Sequence, residues 1–289
     1  MSITSFLDFL NIPKKRVWIA WKKGIFMRGL VLEGGGARGA YQIGVIKSLY
    51  ENGYSFDGFV GTSIGAINAA MLAQGDFDNA LNLWMNISME QVFHEDELPI
   101  LKLADIKNFK PKLKQLLKES SKILSRIIHN GGIHTEKMKV FLEQYIDEEK
   151  IRKSGKDFGL VAFSLSEYKA YEIMLDDIPN GQLINYIMAS SSVPGFHLET
   201  IDGNTFIDGG IYNNCPSNLL LKKEYNEILA VRITKIHSLH WIDDPKIKTL
   251  IPSEKLGNIL LFTSENCASK IELGYKDGLR YIEGLGEVK

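Results

Sequence analysis

Two short runs of this chain place a serine and an aspartate where each could take part in acyl transfer. Ser63 stands in Gly61-Thr62-Ser63-Ile64-Gly65, between the apolar Phe59-Val60 and a helix-like stretch over 64–73. A serine at such a strand-to-helix turn is held in strained backbone, and its neighbours two positions away approach too closely to carry side chains. Gly61 and Gly65 meet that need in a nucleophile elbow. The following helix aims its free N–H groups and positive end at the serine, where they favour the charge that develops when a carbonyl is attacked. The other reading of the same residues is a tight glycine turn whose serine caps the helix. Asp208, in Phe206-Ile207-Asp208-Gly209-Gly210, closes a short apolar run. It is a candidate base for the Ser63 proton if the fold brings the two within hydrogen-bond reach. Taken alone, Asp-Gly-Gly reads as a hairpin turn.

A second glycine cluster, Glu33-Gly34-Gly35-Gly36-Ala37-Arg38-Gly39, lies between the apolar run 29–33 and a helical pattern over 40–50. Bare backbone N–H groups at a helix start make an anion site. Gly34-x-Gly36-x-x-Gly39 with Asp57 further on fits a dinucleotide fingerprint. The same amides would serve as an oxyanion hole for an intermediate raised at Ser63. The elbow favours the second use, because a dinucleotide site has no need of Gly-x-Ser-x-Gly on the next strand. Arg38 fits a loop that bears negative charge, or equally a solvated surface position.

Gly34-Gly35-Gly36-Ala37-Arg38-Gly39, Gly61-Thr62-Ser63-Ile64-Gly65 and Asp208-Gly209-Gly210 with Asn214-x-Pro216 together resemble the patatin-like phospholipase family, as does Ala189-Ser190-Ser191-Ser192-Val193-Pro194-Gly195-Phe196. The resemblance implies an α/β fold of three layers, with a largely parallel sheet between helices and the site at the carboxyl ends of the strands. It implies a Ser-Asp dyad of Ser63 and Asp208, an oxyanion hole drawn from Gly34, Gly35, Gly36, Arg38 and Ile64, and lipid esters as substrates. No metal or cofactor is called for. None of His94, His129, His134, His197, His237 and His240 sits in a recognisable triad context; His197 alone is near a matching segment. A dinucleotide-binding oxidoreductase and a non-catalytic lipid-binding protein on the same fold are the alternatives from other classes.

The elements that must position these residues alternate between strand-like and helical patterns: 29–33, 40–50, 56–61 and 64–73, then strands at 158–165, 168–174, 205–207 and 227–233, and a helix near 182–190. That alternation argues for an α/β sheet. A closing helix over 264–284 is expected to be interrupted by Gly274 and Gly278. With 289 residues, 45% apolar and 24% charged, the chain can bury a substantial core as one catalytic unit over 27–289. A net charge of −1 gives no reason to expect nucleic acid. Cys215 and Cys267 are too few for a disulfide framework, no apolar run could span a bilayer, and no secretory signal is recognisable, so a cytoplasmic protein is expected.

Residues 86–150 read as a helical insertion or lid, in which 99–130 carries eight basic against two acidic residues with apolar ones at helical spacing. The arm 1–26 mixes Trp18 and Trp21 with Lys14, Lys15, Arg16, Lys22 and Lys23. Both are compatible with peripheral contact at an anionic membrane and, equally, with packing on the body of the protein.

Overall fold

The computed structural model describes residues 26–98, 131–235 and 240–284. The basic stretch 99–130 and all but the last residue of the arm 1–26 lie outside the described residues.

Five strands run parallel, in the order β3 (Asp157–Ser164), β2 (Gly58–Thr62), β1 (Arg28–Leu32), β7 (Glu227–Val231) and β8 (Ile247–Leu250). β1 and β2 are buried along nearly their whole length, which is why they read as continuous apolar runs. Leu30, Leu32 and Phe59 face one helical layer: α1 (Gly39–Glu51), α2 (Ile64–Ala73), α3 (Phe77–Asn86) and α9 (Ser264–Ile282). Val31, Val60 and Val161 face the other side, where α8 (Ser217–Leu221) contributes Leu219 and Leu220. The described parts of the 86–150 region hold the short helices α4 (Met89–Val92), α5 (Glu136–Glu143) and α6 (Glu148–Lys153), and α7 (Leu183–Ser190) lies further along the chain.

The far end of the sheet decides where the site falls. β4 (Lys169–Met174) and β6 (Asn204–Asp208) both pair antiparallel with β3, and β6 pairs with the two-residue β5 (Thr200–Ile201). Ala162 pairs with Tyr171 of β4 and with Asp208 of β6, so those strands occupy opposite edges of β3. Val161 pairs with Glu172 of β4 and with Thr62 of β2. β2 and β6 therefore share an edge and meet head to head, with Thr62 opposite Val161 and Asp208 opposite Ala162. Register alone brings the residue after Thr62 to the end of β6.

The closing helix differs from its expectation: α9 runs unbroken from Ser264 to Ile282. Its glycines serve close packing against α1. A Cβ on Gly274 would run into the Tyr41 carbonyl, one on Gly278 into Ser48 Oγ, and one on Gly44 of α1 into the Ile271 carbonyl. Tyr41 Oη donates to Asp277 Oδ2 at 3.0 Å across the same contact. Gly274→Ala distinguishes the two roles by sign. A glycine that merely weakened the helix would give about 1 kcal/mol of stabilisation on replacement by alanine. Backbone contact instead predicts a loss of about 1–3 kcal/mol from overpacking, read as a lower urea midpoint.

Candidate active site

Ser63 closes β2 and caps α2 with φ 56° and ψ −130°, a region that a residue with a Cβ occupies at a cost of about 1–3 kcal/mol. The surroundings enforce it. A Cβ on Gly61 would strike the Gly65 carbonyl, and one on Gly65 would strike the Leu32 carbonyl at the end of β1. Thr62 Oγ1 donates to the Asn213 carbonyl at 2.8 Å. The Ser63 N–H donates to Ser190 Oγ at 2.9 Å, and Ser190 Oγ in turn donates to the Val161 carbonyl at 2.6 Å. Ser190, at the end of α7, thus ties the elbow to β3.

Asp208 is 5% exposed and Ser63 is 7% exposed, and both line one cavity. Asp208 Oδ1 accepts the Gly210 N–H at 2.6 Å, in a 3-10 turn over Gly209–Ile211 rather than a hairpin. Oδ2 is buried without a hydrogen-bond partner. Burial pushes the carboxyl pKa up to about 6, opposed by the nearby Ser63 hydroxyl and then by the Gly210 N–H. The Ser63 hydroxyl is thus the side-chain group that acts on this carboxylate, without closing a hydrogen bond of normal geometry. Such contacts commonly tighten only when substrate is bound.

The glycine loop packs directly on the serine. A Cβ on Gly34 would lie 2.5 Å from Asn214 Oδ1 and 3.0 Å from Ser63 Cβ. Gly36 takes φ 57°. The Gly34 N–H is engaged with the Asn214 carbonyl at 3.1 Å, the Ala37 N–H with the Ile259 carbonyl at 2.7 Å, and the Arg38 N–H with the Gly35 carbonyl at 3.3 Å. Among the described residues, the N–H groups of Gly35, Gly36 and Ile64 have no acceptor, and all three residues line the cavity. Two of the expected oxyanion residues have their donors engaged elsewhere. Gly34 gives its amide to the Asn214 carbonyl and lets the loop approach Ser63 closely. Arg38 does not line the Ser63 cavity; its Nε donates to the Gly257 carbonyl at 2.9 Å, in a separate cleft.

The cavity holds about 320 Å³, and beyond these polar groups its walls include Ile67, Phe93, Met138, Phe196, Leu260 and Phe262. None of the described histidines, His94, His134, His197 and His240, lines it; His129 and His237 lie outside the described residues. Asp57 precedes β2 and accepts the Arg28 N–H at 2.9 Å, at the end of the sheet opposite the glycine loop. It cannot meet a ribose bound at that loop.

Four supporting side chains carried no recognisable motif. Glu33 is 1% exposed, accepts the N–H groups of Ile233 at 2.6 Å and Thr234 at 3.0 Å, and pairs with Arg232 at 3.5 Å. Burial raises its pKa against the pull of Arg232. Gln42 Nε2 donates to the Glu33 carbonyl at 2.8 Å, and Asn68 Nδ2 donates to Gln42 Oε1 at 2.9 Å and to the Gly39 carbonyl at 3.0 Å. Trp84 Nε1 completes the chain on Asn68 Oδ1 at 2.8 Å. A satisfied buried network of this kind fixes α1, α2 and α3 beneath the loop. The only sign of it in the sequence is polar residues inside apolar runs.

Among the described residues, no helix is long and apolar enough to cross a membrane. The family model described as patatin-like phospholipase matches residues 30–221. Patatin-like phospholipase domain-containing protein 7 of Mus musculus is 25% identical over 210 residues, which is 71% of this chain and 13% of that protein. Probable lipid hydrolase 463L of Invertebrate iridescent virus 6 is 25% identical over 209 residues, 68% of this chain and 64% of that protein. The chain thus matches a small part of the first relative and under two thirds of the second. The crystal structure of VipD from Legionella pneumophila has a similar fold, with a TM-score of 0.55 at 16% identity over 91% of this chain and 68% of that one. The matched segment contains the glycine loop, the elbow and Asp208, and the chain belongs to the patatin-like phospholipase family.

Proposed function

We propose that this protein is a serine acyl hydrolase that cleaves carboxylic esters of lipids of the phospholipid or lysophospholipid type. The observation that carries the reading is a buried, partnerless Asp208 oxygen and a strained Ser63 in one cavity with three unengaged amides. Phospholipase and lipid hydrolase in the relatives' names support the substrate class. So do the apolar walls, which suit an acyl chain.

In this mechanism Asp208 Oδ2 accepts the Ser63 Oγ proton as Oγ bonds to the acyl carbon. The carbonyl oxygen becomes an oxyanion facing the N–H groups of Gly35, Gly36 and Ile64, with the positive end of α2 behind the last of these. Collapse breaks the bond to the alcohol, which leaves with the proton from Asp208. Water then attacks the acyl-enzyme, gives its proton to Asp208, and the acid departs as Ser63 Oγ recovers that proton. The side chains supply every proton position, and no metal or cofactor enters a step.

Labelling with a fluorophosphonate probe tests the assignment without presuming a lipid. One adduct is expected, on the peptide that contains Ser63. The assignment fails if the adduct maps to Ser191 or Ser192, which lie close by, or if the folded protein is inert to the probe and to short soluble esters.

A further inference from the structure

A second concavity lies beyond the glycine loop from Ser63. It holds about 600 Å³, and its walls include Arg38, Thr234, Lys235, Ser253, Lys255 and Gly257. Its charged side chains are the cations Arg38, Lys235 and Lys255 against the single carboxylate Glu254, in a chain whose net charge is −1. Arg38 is anchored through Nε to the Gly257 carbonyl at 2.9 Å, and among the described residues its Nη groups have no partner. A guanidinium held at one nitrogen presents the others as a preset fork, a geometry that matches the oxygens of a phosphate. Lys235 and Lys255 are exposed and form no ion pair among the described residues.

We propose that this cleft binds a phosphate group. The glycine loop stands between it and the catalytic cavity. Gly34, Gly35 and Gly36 line the cavity, whereas Arg38 lines the cleft; on the facing segment Ile259 lines the cavity and Gly257 the cleft. The Ala37 N–H is bonded to the Ile259 carbonyl at 2.7 Å at the boundary between them. A phosphate in the cleft therefore meets Arg38 at the end of the same turn that offers the Gly35 and Gly36 amides. The phosphate of a glycerolipid headgroup is only a few bonds from its ester carbonyl, so the cleft is placed to read that headgroup. This headgroup role rests on the acyl-hydrolase reading; phosphate binding itself does not.

Isothermal titration of inorganic phosphate into Ser63→Ala protein tests the cleft without turnover. The same titration is made with Lys235→Gln and Lys255→Gln added, folding being checked by circular dichroism. Binding that weakens by roughly tenfold or more in the lysine variant, and weakens with added salt, supports the cleft. No phosphate binding, or equal binding in both proteins, overturns it. Soluble-ester hydrolysis by the protein with Ser63 intact would then show that the cleft has failed and the hydrolase reading has not. The source of the phosphate is read from kcat/KM for lysophosphatidylcholine relative to a monoacylglycerol with the same acyl chain. A ratio that falls roughly tenfold with the lysine substitutions assigns the cleft to a headgroup. An unchanged ratio alongside lost phosphate binding assigns it to free phosphate.

Discussion

Ser63→Ala and Asp208→Asn are each expected to remove ester hydrolysis, and the double variant to be no worse than the more damaged single one. Residues that act as one unit in a step do not add. Asp208→Asn keeps the shape but loses the acceptor for the Ser63 proton, and a positioned base contributes about 10²- to 10⁴-fold. Ser63→Ala removes the attacking atom and should also abolish fluorophosphonate labelling, whereas Asp208→Asn should slow labelling. His197→Gln should cost far less than either, since His197 is exposed and does not line the cavity. A histidine variant as inactive as Asp208→Asn would demand a triad. Additive losses in the double variant would separate serine and aspartate into different steps.

The raised pKa of Asp208 gives the same pair a pH signature. The carboxyl accepts a proton only when ionised, so kcat/KM on a soluble ester should fall on the acid side with a midpoint near 6. Stability moves the opposite way. A carboxyl whose folded pKa lies at about 6 against an ordinary 3.8 binds more protons folded than unfolded between those values, so stability falls as pH rises through that window. The shift corresponds to a penalty of about 3 kcal/mol at neutral pH. Asp208→Asn, neutral throughout, should therefore raise the unfolding free energy by up to that amount at pH 7 and change it little near pH 4. Thermal denaturation at the two pH values measures this. Loss of activity together with gain of stability is what a carboxylate buried for reaction entails.

The strained turn at Ser63 and the strand end at Asp208 were legible in the sequence because their requirements are local. A serine between two glycines at a strand-to-helix junction states its own backbone problem, and an acid at a strand end followed by glycines states another. The parallel sheet was legible for a similar reason, since strands buried on both faces are apolar along their length. What Gly34 and Arg38 bond to was not legible because their partners are remote: Asn214 is 180 positions from Gly34, and Gly257 is 219 from Arg38. A glycine-rich loop shows that amides are bare, not which of them the fold engages. The same limit applies to Gly274 and Gly278, whose lack of side chains can mean a weak helix or a close one. Only the position of α1 decides between these. β8 and α3 had no reading at all; β8 is four residues long with Lys248 inside it, too short to show a period.

The oxyanion assignment rests on Gly36, where one methyl group is expected to separate chemistry from binding. Gly36→Ala asks a residue with φ 57° to carry a Cβ directed at the Ile259 carbonyl. The loop must move, and the bond from the Ala37 N–H to that carbonyl must stretch or break. Either displaces the Gly36 amide from the place where the oxyanion forms. Loss of one such donor costs about 10²- to 10³-fold in kcat, because it acts on charge present only in the transition state. KM should change little, the acyl walls being intact, and fluorophosphonate labelling should slow in parallel, since the phosphoryl oxygen sits where the oxyanion would. Gly53→Ala is the matched control: φ is 79° there, nothing lies within 4 Å of the added Cβ, and the residue is outside the cavity. It bears the backbone strain without the displacement, so any loss of stability common to both variants is separable by urea denaturation. If folded Gly36→Ala protein kept kcat within a few-fold of the unaltered enzyme, the Gly36 amide would not be an oxyanion donor.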